Sequence, residues 1–175
     1  LESRTFTEWL GNGCHPLSFL VSVCGKPVAV TTKVQDDGVG VCYVEFENGV
    51  MGLLCLASGP LPIERYSLFG ERYHLEIENT DRVVLARGIP FEYGRTESFV
   101  TENDNCGSVV WEPQNGLATL ENKSLFLQGI VPEMKYFCDC VLNDRKAEKG
   151  SLEFALQVHQ IYEAALISEG SRIVL

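Results

Sequence analysis

The chain has 175 residues, with 24 acidic against 14 basic side chains, a net charge of −10 and 45% apolar residues. That composition fills one compact domain, is marginal for two, and excludes a disordered chain. It also argues against nucleic acid and against an anionic membrane surface as partners, since both need clustered Lys and Arg.

The first helix signal is His15–Cys24. Pro16 suits a first helical position, Gly25 and Pro27 end the run, and Leu17, Leu20, Val21 and Cys24 make an apolar face. Val28–Val34 and Val39–Glu47 are rich in β-branched and aromatic residues and read as strands. Asn48-Gly49 follows between strand-like runs, the dipeptide of a type I′ hairpin turn. This hairpin is apolar on both faces, with Cys42, Val44 and Phe46 on one and Val39, Val41 and Tyr43 on the other. A half-solvated sheet alternates with polar residues. Each face is therefore expected to be covered, one by helices and the other by a second subunit.

Tyr66–Phe69, Tyr73–Glu78 and Val83–Ala86 read as three further strands, with a turn at Asn79-Thr80-Asp81. Residues 88–129 hold scattered Pro and Gly and read as a long excursion with one or two short strands, for instance Ser108–Trp111. Pro132–Leu142 reads as a helix with Tyr136, Phe137, Cys140 and Val141 as its buried stripe, ended by Asn143-Asp144. Ser151 caps a longer helix to about Ser168, Glu153 suits its first turn, and Gly170 ends it. Ile173–Leu175 is a last short strand. The sum is α+β: a largely antiparallel open sheet with helices packed on one face.

No stretch approaches the roughly 18 apolar residues of a membrane span. The first ten residues include Glu2, Arg4 and Glu8 and no apolar signal-peptide core. The start at Leu1 in place of Met points to a processed chain or a piece of a longer one. Seven cysteines, at 14, 24, 42, 55, 106, 138 and 140, lie mostly in apolar runs and are expected to be reduced, in a cytoplasmic protein. Cys138 and Cys140 stand two apart in a helical run and face different ways, so no shared metal or disulfide is expected.

Nucleotide fingerprints do not occur. Gly11-x-Gly13 follows no strand, Gly38-x-Gly40 sits inside a strand region, and there is no P-loop, H-E-x-x-H, C-x-x-C or G-x-S-x-G. Three histidines remain: His15, His74 and His159. Placed at a helix mouth, His15 would be kept neutral by the dipole and able to accept a proton. The competing reading makes it a structural cap.

The run Gly11-Asn12-Gly13-Cys14-His15-Pro16-Leu17-Ser18 resembles the start of the C-terminal domain of the glucose–fructose oxidoreductase and inositol dehydrogenase family, where D-x-G-x-H-x-x-D leads into a helix. The hairpin around Phe46-Glu47-Asn48-Gly49-Val50-Met51-Gly52, the strand Ser67-Leu68-Phe69-Gly70 and the closing helices through Ala164-Ala165-Leu166-Ile167-Ser168-Glu169-Gly170 follow in the family's order. The resemblance implies an NAD- or NADP-dependent oxidoreductase acting on a sugar or polyol. It makes residues 1–175 a single C-terminal substrate-binding and oligomerisation domain, with the nucleotide-binding domain outside this chain and no cofactor bound by these residues alone. It casts His15 as the acid/base, places Gly11, Asn12 and Ser18 at substrate-binding positions, and implies a homo-oligomer through the open sheet face. The family's two aspartates are Gly11 and Ser18 here, and the second glycine of its G-x-x-G is Tyr73. A non-catalytic sugar sensor built on the same domain is the alternative.

Overall fold

The computed structural model describes residues 3–35, 39–57, 64–79, 82–88, 93–95, 107–112, 125 and 129–175, with side chains of the first helix described from residue 13 onward. Its elements are α1 (Ser3–Cys24), β1 (Pro27–Val34), β2 (Gly40–Phe46), β3 (Met51–Leu56), β4 (Arg65–Phe69), β5 (Tyr73–Glu78), β6 (Arg82–Arg87), β7 (Gly107–Trp111), α2 (Ile130–Leu142), α3 (Leu152–Ser168) and β8 (Ile173–Val174). The α+β class expected from the sequence holds. The strands form two four-stranded antiparallel sheets, ordered β3-β2-β1-β8 and β4-β5-β6-β7, in place of one. The chain divides accordingly into two compact units, Leu1–Pro60 with Lys146–Leu175, and Leu61–Arg145.

In the first unit, β2 and β3 form the expected hairpin around Asn48-Gly49. The turn itself differs. Gly49 N–H donates to the Phe46 carbonyl at 2.9 Å, Phe46 N–H donates to Val50 at 3.0 Å, and Gly49 has φ 83°. Among the described residues the non-glycine positions with positive φ are Asn79, Asp144 and Glu169, so Asn48 keeps negative φ. The loop is thus three residues long, a type I turn closed by a left-handed glycine rather than a type I′ turn. Asn48 braces it from outside: its amide donates to the Cys24 carbonyl at 2.9 Å, and its Oδ1 accepts from Val50 N–H at 3.1 Å.

Helices α1 and α3 cover one face of this sheet. Cys42, Val44, Phe46 and Leu54 point to that side and are buried with Leu17, Val21, Val158, Ile161 and Tyr162. Gly52 is buried as well. A Cβ there would meet the Phe46 ring at 3.0 Å and Leu20 at 3.3 Å, so the glycine lets α1 press close onto β3. The opposite face carries Val41, Tyr43, Met51 and Leu53, with Met51 70% and Leu53 60% exposed.

Helix α1 begins at Ser3, not at His15, and Pro16 lies in its interior. An interior proline is disfavoured by about 3 kcal/mol, because it has no N–H to donate and its ring crowds the carbonyl four residues earlier. Tertiary contact outweighs that local signal. Leu17 is 0% exposed, Gly13 is buried, and Cys14 packs against the core one turn before Val21.

Helix α3 is capped as expected: Ser151 Oγ accepts from Phe154 N–H at 3.1 Å. At its other end Ser168, 1% exposed, fastens the helix to β1. Its hydroxyl accepts from Thr32 N–H at 2.8 Å and donates to the Ser171 carbonyl at 2.6 Å. Strand β8 is held further by a bidentate pair, Arg172 Nε and Nη2 to the Glu45 carboxylate at 2.7 and 2.8 Å.

Glu153 supports a prediction about acid stability. Its own backbone N–H, the Ser151 hydroxyl and Lys146 hold its carboxyl down at about 2, against an ordinary 4.5. A lowered carboxylate stabilises the fold above its unfolded pKa, and that contribution is lost as pH falls through the folded value. Urea titrations of the wild type and Glu153→Gln should therefore differ at pH 6 and converge between about pH 4.5 and 2. A constant difference across that window would overturn the assignment.

In the second unit β4 to β7 form a meander, with bounds close to the expected strands. One face is charged, with Arg65 pairing Glu76 and Glu78, and Arg82 pairing Glu78 and Glu112. Helix α2 also forms, but its expected buried stripe does not. Cys140 is buried, whereas Phe137 is 59% and Val141 64% exposed. The 3.6-residue periodicity is real; among the described residues no element packs broadly over it.

Candidate functional site

The site expected from the sequence centres on His15, and helix geometry decides where that side chain points. His15 is the thirteenth of the 22 residues of α1. At about 100° per residue it stands roughly 160° around the helix from fully buried Leu17. It is accordingly exposed on the outward face. Gly11 lies four residues before it and Ser18 three after, so the three positions share that face. Asn12 flanks it at three residues. The structure thus brings the sequence-predicted positions together on one side of one helix. Ser18 is half-buried, and the Asn12 side chain lies outside the described residues. One turn further on, Ser22 Oγ donates to the Phe19 carbonyl at 2.8 Å.

The expected helix-mouth setting of His15 is corrected by this geometry. Dipole effects are confined to the first and last turns. A mid-helix imidazole neither feels the N-terminal field nor can cap it, so both the dipole argument and the structural-cap reading lapse. What remains is an exposed imidazole on a helix anchored from behind.

The groups behind the helix are held neutral. Burial pushes the Cys42 thiol up to about 11. Burial also raises the Tyr162 phenol, and the nearby Cys14 and Cys42 thiols add to it. Such groups are poor thiolate or phenolate nucleophiles at neutral pH. Exposed imidazoles are instead offered by His15 on the outward face of α1 and by His159 on α3.

The other histidines sit on other elements. His159 on α3 has its ring 6.4 Å from that of Tyr162. His74 on β5, in the second unit, stacks on Phe69 at 4.4 Å with the rings 7° from parallel, and its Nε2 is buried without a hydrogen-bond partner. Cys138 is exposed and Cys140 buried, so the pair does face different ways. Among the described residues no three His, Cys, Asp or Glu side chains come together to hold a metal ion. No described helix is long and apolar enough to cross a membrane. The polar residue that sequence reasoning missed is Ser168, whose buried hydroxyl ties α3 to β1; nothing in its sequence neighbourhood marks it as more than the last residue of the helix.

No protein-family model and no curated protein matches the chain. Solved structures do. A dehydrogenase from Clostridium difficile superposes with a TM-score of 0.67 at 11% identity, over 95% of this chain and 49% of that one. An oxidoreductase from Thermotoga maritima superposes with a TM-score of 0.58 at 20% identity, over 94% of this chain and 43% of that one. The chain shares the fold of these two proteins and spans about half the length of each.

Proposed function

We propose that the chain is the C-terminal substrate-binding and oligomerisation domain of an NAD- or NADP-dependent oxidoreductase acting on the hydroxyl of a sugar or polyol. The observation that carries this reading is the likeness of nearly the whole chain to about half of a dehydrogenase, with His15 exposed on the outward face of α1. These residues do not themselves fit a dinucleotide. Gly11 and Gly13 lie inside α1, where their backbone is committed to the helix and cannot cradle a pyrophosphate. The cofactor belongs to the remainder of the protein and supplies the hydride acceptor when bound there. His15 takes the proton of the substrate hydroxyl, and Gly11, Asn12 and Ser18 line the approach to it. None of the six described cysteines is in a disulfide, which supports a cytoplasmic setting.

The test is a spectrophotometric assay of the full-length protein with NAD or NADP against hexoses and inositols. Growth of the reduced-cofactor absorbance is expected. Inertness toward the whole panel, with both cofactors, would remove the dehydrogenase reading. A sugar sensor is the second reading, and Gly11 and Ser18 in place of carboxylates favour it.

The uncovered face of the first sheet supports the oligomer. Met51 and Leu53 project there beside Val41 and Tyr43, an apolar patch of the kind that marks an association surface. Leu53→Asp should convert the oligomer to a monomer in light scattering and leave the core intact, since Leu53 points away from it. An unchanged mass would exclude this face from the interface.

A further inference from the structure

We propose that Asn48 is a modification site: its side-chain amide is converted to a carboxylate by attack of the next backbone nitrogen, and the conversion unlatches the β2–β3 turn from the end of α1. Asn-Gly dipeptides occur in the chain at 12–13, 48–49 and 115–116. Glycine has no Cβ to block the approach, so its nitrogen reaches a preceding Asn side chain most readily. Asn12-Gly13 lies within α1, where the backbone is held helical, and Asn115-Gly116 lies outside the described residues. Asn48-Gly49 stands in a turn. Both residues are exposed, and Gly49 has φ 83°.

The reaction needs only water. Gly49 nitrogen attacks Asn48 Cγ, so a Cγ–N bond forms while the Cγ–Nδ2 bond breaks. Ammonia leaves with the proton of the Gly49 N–H, and a five-membered imide remains. Water then opens the imide at Cγ to give aspartate, or at the Asn48 backbone carbonyl to give isoaspartate. Nothing is oxidised or reduced.

The fold sets both the rate and the consequence. Gly49 N–H is committed to the Phe46 carbonyl at 2.9 Å, Asn48 Nδ2 to the Cys24 carbonyl at 2.9 Å, and Asn48 Oδ1 to Val50 N–H at 3.1 Å. Attack therefore waits on local opening of the turn. In the aspartate product the donor to Cys24 is gone. A carboxylate oxygen then faces the carbonyl of the last residue of α1, at the negative end of the helix, where another negative charge is disfavoured. The bond from Val50 N–H survives, since a carboxylate still accepts. The change is selective: the end of α1 frays while the turn stays closed.

Peptide mapping by mass spectrometry tests the site, with the full chain held in mildly alkaline buffer both native and in urea. Native Asn48 should convert to aspartate and isoaspartate about 10- to 100-fold more slowly than in urea, the weight of the hydrogen bonds released on opening. Equal rates, or a native Asn48 still fully intact well beyond that span, would overturn the site. Two variants test the latch. Asn48→Asp supplies the product directly, and Asn48→Ala removes the side chain without adding a charge. Gly25 N–H donates to the Val21 carbonyl at 3.0 Å and reports on the end of α1. Its amide exchange should quicken by about 3- to 10-fold in Asn48→Ala, the loss of one neutral hydrogen bond, and further in Asn48→Asp. The Val50 amide should stay protected in Asn48→Asp and lose protection in Asn48→Ala. Wild-type exchange at Gly25 in Asn48→Asp would overturn the latch.

Discussion

His15→Ala should lower turnover of the full-length protein by 100- to 10,000-fold, the usual worth of a positioned general base. The geometry makes this a clean measurement. His15 is exposed on a helix whose opposite side holds Leu17 and Val21, so removing its ring opens no cavity. The melting temperature should stay near that of the wild type. A His15→Ala variant with unchanged kcat on a substrate the wild type oxidises would sink the proton-acceptor role. Gly11→Asp adds a second arm. It places a carboxylate one turn from the imidazole on the same face. Activity should rise if the site is a weakened dehydrogenase, and stay at zero if the protein is a sensor.

Ile161→Ala should cost about 2–5 kcal/mol of folding stability, the range for deleting a fully buried branched side chain. Ile161 is 0% exposed at the centre of α3. Its cluster contains Leu17 and Val21 from α1, Val30 from β1, and Cys42, Val44 and Phe46 from β2. Elements from both ends of the chain meet around it, which leaves the surroundings little freedom to collapse into the void. Chemical denaturation of the two proteins gives the number. A loss below about 1 kcal/mol would place Ile161 outside the core.

Much of this architecture can be read directly from the residues. Strand positions follow from β-branched and aromatic runs, and the bounds of β5 match those expected. The Ser151 cap follows from its hydroxyl before an apolar run. Partner choice does not follow, because Tyr66–Phe69 could extend the first sheet as well as start a second. The start of α1 is hidden by Pro16, whose local meaning is a helix beginning, while its neighbours Cys14 and Leu17 pack on the core of a helix that continues past it. The outward grouping of Gly11, His15 and Ser18 has the same origin. Spacings of four and three mark one face only once those residues are known to be helical. The exposed stripe of α2 shows the converse: periodicity fixes which residues share a face, and not whether anything covers it.

The first unit is discontinuous in the chain, since Ser168 locks onto Thr32 across 136 residues of sequence and the whole second unit intervenes. During synthesis the meander from β4 to β7 can pair strand by strand as it emerges, because each contact is local. The first unit has no such option. Strands β1 to β3 and α1 are made early, but the part of the Cys42 and Val44 face that α3 covers stays wet until the last segment, Leu152 to Leu175, leaves the ribosome. For that interval the nascent protein carries an unsealed apolar surface. Translation stalled before residue 152 would leave a species ready to be claimed by a chaperone or to aggregate, however sound the finished fold.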